Sequence, residues 1–204
     1  MTLVSSKMKR RLEEFLTPKI KRLSSLGFSP NLLTSLGLVS SLVGAWFYVN
    51  WGMNGPALII AGLFVILSGF LDAIDGIYAR ISGKTSVFGG LFDSVADRYS
   101  DAILLSSVIW AKLCDQAWGL NALIGSLMVS YTRARAEAAG VNMASIGVAE
   151  RAERMIILAV STIFSYFTIE SIKWGVIFIG VLSHITVLQR IIYFYGRAGK
   201  GRGG

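Results

Sequence analysis

Two short stretches of the sequence place carboxylates at helical spacing inside otherwise apolar surroundings. The first reads D-A-I-D-G-I-Y-A-R from Asp72 to Arg80, and the second reads G-G-L-F-D-S-V-A-D-R from Gly89 to Arg98. Asp72, Asp75, Gly76, Ala79 and Arg80 follow the i, i+3, i+4, i+7, i+8 pattern that shares one helix face. Gly89, Asp93 and Asp97 share a second face at i, i+4, i+8. Four carboxylates brought together in a low-dielectric site need compensating charge. Arg80 and Arg98 could supply part of it, and hard oxygen donors also suit Mg²⁺, Mn²⁺ or Ca²⁺ rather than zinc. Two such ions are suited to displacement at a phosphate ester, because together they hold the attacking and leaving oxygens. Gly76 and Gly89 would admit a ligand or a facing helix. A structural ion-pair network, or a proton or cation pathway, would use the same residues, and charge alone leaves all three readings open. Asp101 extends the second face by one turn, with no role beyond pairing with another helix.

The elements that must position these residues are membrane spans. Of 204 residues, 53% are hydrophobic and 16% charged, against about 25% charged in an average soluble domain. Mean hydropathy is +0.60. The apolar residues gather in blocks of about 20, the length that crosses a bilayer as helix. The pattern predicts an all-α polytopic membrane protein with six transmembrane helices, at about 31–51, 57–80, 89–111, 117–138, 148–168 and 174–195. The short connection between the second and third spans predicts antiparallel neighbours. A single cysteine, Cys114, excludes an internal disulfide framework, and with the lone His184 it argues against Cys- or His-based metal chemistry. His184 reads as a packed, hydrogen-bonded core residue.

Charge placement fixes the orientation. With the N-terminus inside, Lys112 and Lys173 are the only two of the 20 Lys and Arg on the outer side, as short cytoplasmic loops collect basic residues. The +8 net charge is thus a topology signal rather than a nucleic-acid-binding surface. Trp46, Trp51, Trp110, Trp118 and Trp174 fall at the outer ends, where an aromatic belt belongs. Both termini and the aspartates then face the cytoplasm, and no cleavable signal peptide is expected. Residues 1–28 read as a cytoplasmic juxtamembrane segment, an amphipathic helix lying on the anionic inner leaflet. Residues 29–196 form the six-helix membrane domain and 197–204 a flexible tail. Ser29-Pro30-Asn31 predicts an N-cap and first-turn proline opening the first span.

The order D-x2-D-G-x2-A-R-x8-G-x3-D-x3-D resembles the signature of the CDP-alcohol phosphotransferase family, and every specified position fits. The resemblance implies an integral membrane enzyme with six helices that moves a lipid phosphate group from a CDP-linked donor to an alcohol. It makes the structural and transport readings remote. It further implies two metal ions, Mg²⁺ or Mn²⁺, one held by Asp72, Asp75 and Asp93 and one by Asp72, Asp93 and Asp97. Asp97 would be the general base that takes the proton from the acceptor hydroxyl, whose oxygen attacks the β-phosphorus as CMP leaves. Gly76, Arg80 and Ser86, with Asn31, Leu32, Leu33 and Thr34 at the start of the first span, match the family's positions that contact the CDP-lipid. Homodimers are common in the family, which makes one the expected assembly.

The acceptor is read from arginines. Arg133, Arg151, Arg154 and Arg190 lie at the inner ends of spans four, five and six. Several guanidinium groups beside a phosphotransfer site suit a phosphorylated acceptor, although the positive-inside bias alone would place some of them there. Glu137, Glu150 and Glu153 could hold those that do not bind substrate. The surrounding segments resemble the inositol-phosphate branch of the family, its phosphatidylinositol phosphate and archaetidylinositol phosphate synthases. That likeness implies inositol 1-phosphate as acceptor and CDP-archaeol or CDP-diacylglycerol as donor. Arg133 stands where the branch often has lysine. Phosphatidylglycerophosphate synthase, acting on glycerol 3-phosphate, is the alternative within the family. An intramembrane cation-binding transporter or inactive scaffold is the alternative outside it.

Overall fold

The protein is described by a computed structural model covering residues 29–53 and 55–198, together with Thr17. The amphipathic segment expected over 1–28 and the last residues of the tail lie outside the described residues. Six α-helices account for nearly all the rest: α1 Pro30–Val49, α2 Ala57–Ile81, α3 Val87–Trp110, α4 Gln116–Ala138, α5 Arg151–Phe164 and α6 Glu170–Ala198. A single 3₁₀ turn, Trp51–Met53, follows α1. Helix α6 runs through Gly196 and Arg197, so the start of the expected tail is helical.

Local chemistry explains where the helices begin. The Ser29 side chain accepts the Leu32 N–H at 3.2 Å ahead of Pro30, whose missing N–H is not needed in the first turn. Ser86 caps α3 in the same way, accepting the Gly89 N–H at 2.9 Å. The fifth span is shorter than the 148–168 expected. Glu150 is extended and α5 starts only at Arg151, while the chain leaves the helix after Phe164. Residues 147–149 are held against α6 instead. The Val148 N–H bonds the Gln189 Oε1 at 3.1 Å and the Ala149 N–H bonds the Thr186 Oγ1 at 3.0 Å. Gly147, at φ +120°, passes so close to Thr186 that a Cβ there would lie 2.3 Å from its Cγ2.

Packing closes the six helices into a ring. Helix α1 packs on α2 and α3, α2 on α5, α5 on α6, α6 on α4, and α4 on α3. The second and third spans, expected as antiparallel neighbours, meet at their aspartates but pack mainly through α1, which lies against both of them. Small residues let it in: a Cβ on Gly44 would stand 3.3 Å from the Phe64 Cβ on α2 and 3.5 Å from Leu104 on α3. The Ser41 hydroxyl bonds that of Ser68 on α2 at 2.8 Å. Tyr48, Val65, Leu104, Val108, Leu158 and Ile179 form the centre of the buried apolar core. The Tyr48 and Thr162 hydroxyls bond inside it at 2.6 Å.

Large apolar side chains on the outside face away from this core, Leu63, Ile66, Val160, Phe178, Leu188 and Ile192 among them. Water does not favour such a surface, but hydrocarbon does. Helices α1, α2 and α6 are long and apolar enough to cross a membrane. Helix α3 has the length but carries Asp93, Asp97, Arg98 and Asp101, polar residues dilute α4, and α5 has only 14 residues.

Ring closure depends on glycine where α2 meets α5. A Cβ on Gly62 would lie 2.5 Å from the Ile163 Cγ1 and 3.1 Å from the Ala159 carbonyl. Gly62→Leu is expected to destabilise the fold by about 1–3 kcal/mol through overpacking. Gly69→Ala meets the Met155 Cβ at an ordinary 3.7 Å and is expected to be neutral or slightly stabilising through helix propensity. Thermal unfolding of the detergent-solubilised variants measures both.

Candidate metal centre

The carboxylates converge as their spacing requires. Asp72 and Asp75 project from α2, and Asp93 and Asp97 from α3. One oxygen each of Asp72, Asp75 and Asp93 lies within 4.8 Å of the others. Asp75 is buried, and its Oδ2 accepts the Thr34 hydroxyl of α1 at 2.5 Å. Asp93 Oδ1 is buried without a hydrogen-bond partner. A carboxylate oxygen left bare in a low-dielectric interior is costly unless a cation takes it. Three hard oxygen donors with one orphaned atom therefore fit Mg²⁺ or Mn²⁺.

Asp97 adjoins that trio through its contact with Asp72. Its Oδ1 lies 2.9 Å from Nη1 of Arg151, and the same nitrogen lies 2.8 Å from Oδ2 of Asp72. The Arg98 guanidinium is 3.8 Å from the other Asp97 oxygen and donates to the Ser94 carbonyl at 2.5 Å. Asp101, unassigned from the sequence, is buried one turn beyond. Its Oδ2 accepts Arg154 Nη2 at 2.7 Å and its Oδ1 meets Arg151 Nε at 3.4 Å. A narrow cleft of about 10 Å³ runs between the carboxylates, lined by Thr34, Gly37, Ser68, Asp72, Asp75, Asp97 and Arg151 among others.

The residues expected to contact the donor divide by position. Asn31 and Ser86 meet at the start of α3: a Cβ on Gly89 would lie 3.2 Å from Asn31 Oδ1 and 2.9 Å from Ser86 Oγ. Bare Gly89 thus leaves a polar notch between the first turns of α1 and α3. Gly76 and Arg80 share a face of α2, with Arg80 Nη1 3.6 Å from where a Gly76 Cβ would stand. Thr34 reaches the aspartates directly. Leu33 is buried against Ile77 and Tyr78, and Leu32 is exposed.

The four arginines do not form one open pocket. Arg151 sits among the carboxylates. Arg154 is buried, with Nη1 also donating to the Ala149 carbonyl at 3.3 Å. Arg190 is buried too. It donates to the Ile146 carbonyl at 2.8 Å and to the Val129 carbonyl, with Glu150 at 3.9 Å. Arg133 is half exposed and pairs with Glu137 at 2.9 Å. Both Arg133 and Arg154 lie near enough to interact with the charge of Arg190. A cavity of about 320 Å³ between α4 and α6, lined by Tyr131, Thr132, Arg135, Arg190 and Phe194 among others, opens beside it.

Two other singletons take no part. Cys114 lies in the α3–α4 turn, where burial and the neighbouring Asp115 push its thiol pKa up to about 11. His184 is packed against Gly125 as expected, but its Nε2 has no hydrogen-bond partner, so it is not the bonded core histidine expected.

Residues 28–189 match the family model for CDP-alcohol phosphatidyltransferase. The chain is 40% identical over 187 residues to archaetidylinositol phosphate synthase of Pyrococcus horikoshii, covering 91% of this chain and 94% of that one. It is 32% identical to phosphatidylinositol phosphate synthase of Mycobacteroides abscessus, covering 85% of this chain and 80% of the other. The crystal structure of the Mycobacterium tuberculosis phosphatidylinositol phosphate synthase with CDP-DAG bound superposes with a TM-score of 0.75 at 29% identity, covering 89% of this chain and 94% of that one. A second structure of that enzyme, in complex with manganese and citrate, also gives 0.75 at 30% identity, covering 88% of each chain. The chain belongs to the CDP-alcohol phosphatidyltransferase family.

Proposed function

We propose that this enzyme transfers a phosphatidyl or archaetidyl group from its CDP-linked lipid to inositol 1-phosphate and releases CMP. The observation that carries the reading is the carboxylate trio from α2 and α3, with Asp75 fixed by Thr34 and Asp93 left with a bare oxygen. Inositol 1-phosphate is favoured as acceptor by the 40% identity to the Pyrococcus archaetidylinositol phosphate synthase and by the buried guanidinium groups of Arg154 and Arg190 beside the site.

Asp72, Asp75 and Asp93 would hold one Mg²⁺ or Mn²⁺, and Asp72, Asp93 and Asp97 a second. Such ions, when bound, lend positive charge to the diphosphate and to the departing CMP. The remaining work belongs to the chain. Asn31, Ser86 and Gly89 form a notch for the donor's nucleotide end, with Gly76 and Arg80 on the adjoining face of α2. Asp97 takes the proton from the inositol hydroxyl as its oxygen bonds to the β-phosphorus and the bond to the CMP oxygen breaks. General-base help of this kind is typically worth about 10²–10⁴-fold. Arg133, Arg154 and Arg190 orient the acceptor phosphate. The six helices lie in the membrane, and residues 29–196 act as one domain. The aspartates face the cytoplasm, at the end of the bundle opposite the five tryptophans. Two copies would meet along the apolar groove between α3 and α4 that Leu91, Val95, Tyr99 and Leu127 line.

Purified enzyme with a CDP-lipid and Mg²⁺ is expected to release CMP with inositol 1-phosphate and not with serine or free inositol. Release with glycerol 3-phosphate alone would keep the mechanism and replace the acceptor. Asp97→Asn is expected to lower CMP release by about 10²–10⁴-fold. Thr34→Val, which removes the hydroxyl holding Asp75, is expected to raise the Mn²⁺ concentration for half-maximal activity by about 10–100-fold. Thr34→Ser should largely restore it in the same metal titration.

A further inference from the structure

Arg151 occupies an unusual place for a residue expected to bind substrate. It is the first residue of α5, yet its Nη1 reaches oxygens from two other helices, Asp72 on α2 and Asp97 on α3, at 2.8 and 2.9 Å. Those are two of the carboxylates that a second divalent ion would use. A guanidinium there supplies to the same oxygens the charge such an ion would bring. Nη1 is buried and makes no aligned hydrogen bond despite these short contacts, so the attraction is ionic rather than directional. The aligned contacts lie on the other side. Arg151 Nε donates to Asp101 Oδ1, and Asp101 is itself fixed through Oδ2 by buried Arg154. The guanidinium therefore has a bonded edge on Asp101 and an ionic edge on Asp72 and Asp97.

We propose that Arg151 is an exchangeable internal cation of this centre. It neutralises Asp72 and Asp97 when a second ion is missing, and withdraws onto Asp101 as a divalent ion takes their oxygens. Asp101 is a positioning residue that acts through Arg151 and touches neither ion nor substrate. The inference rests on the metal reading above. Its consequence is that the second ion binds against a tethered competitor and more weakly than the first.

The test is Mn²⁺ binding to the full-length, detergent-solubilised protein without substrate, by calorimetry and by the electron paramagnetic resonance signal of free Mn²⁺. Arg151→Gln is expected to tighten the weaker binding step by about tenfold or more, because a like charge a few Å away is removed. Asp101→Asn is expected to weaken that step, since unanchored Arg151 is drawn further onto Asp72 and Asp97. The double variant should return to the tight binding of Arg151→Gln, a rescue that a merely structural role for Asp101 does not produce. Unchanged or weaker Mn²⁺ binding in folded Arg151→Gln, with binding intact in the parent protein, overturns the exchange and leaves the metal reading standing. Absence of Mn²⁺ binding in the parent and in Arg151→Gln overturns both. Should Arg151→Gln fail to elute as folded protein, Asp101→Asn decides, and unchanged or tighter binding in it overturns the exchange.

Discussion

The mutual repulsion of carboxylates inside an apolar bundle is the constraint that the other features answer. Two carboxylates about 4 Å apart oppose each other by about 4 kcal/mol at an effective dielectric near 20, and here four converge from α2 and α3 with Asp101 behind them. Such a cluster persists only with positive charge threaded through it. Two of the cations, Arg151 and Arg154, come from α5, remote in sequence, and a third, Arg98, from α3 itself. Arg151 stands at the first position of α5, where the helix dipole favours an acid rather than a base. That local conflict is offset by Asp72 and Asp97, and local conflicts of this kind are expected at functional sites.

Helix α1 turns the same constraint into a shaped site. If α2 and α3 packed face to face, their aspartates would be pressed together with no room for an ion or a diphosphate. A helix lined with Gly37, Ser41 and Gly44 lies close against α2 and, at Gly44, α3. Thr34 from its first turns orients Asp75. The capping residues serve two ends at once: Ser29 and Ser86 start α1 and α3, and those starts bring Asn31 beside Gly89.

Much of this was legible in the sequence because it is written in short-range periodicity. The helical spacing of Asp72, Asp75, Asp93 and Asp97 survives in the structure, and four of the six spans match their helices within two residues at each end, while the fifth is shorter and the sixth longer than expected. The start of α1 was legible from Ser29 and Pro30 alone. What could not be read is tertiary. The end of α5 that holds Arg151 is set by contacts of Val148 and Ala149 with α6, about 40 residues away in sequence. Asp101 had the right spacing to be noticed, but its partners lie 50 and 53 residues on. Leu33 shares the first turns of α1 with Thr34, yet points into a small core with Ile77 and Tyr78, and no local pattern separates the two.

The arginines show how burial changes the meaning of a charge. Read as a list, Arg133, Arg151, Arg154 and Arg190 are four equivalent phosphate ligands. In the fold, Arg154 and Arg190 have parts of their guanidinium edges committed to the carbonyls of Ala149, Ile146 and Val129, which removes the rotamer freedom that a surface arginine would lose on binding. Two of those carbonyls, and the Gly147 turn between them, belong to the 141–150 segment seated on Thr186. Arg190 is thus held in place in advance by a loop that contributes no charged side chain of its own before Glu150, as the acceptor site proposed above would require. Arg133, half exposed and paired with Glu137, keeps the freedom the other two lack. The three differ in rigidity before they differ in charge, and rigidity is what separates a geometric phosphate pocket from a general basic surface.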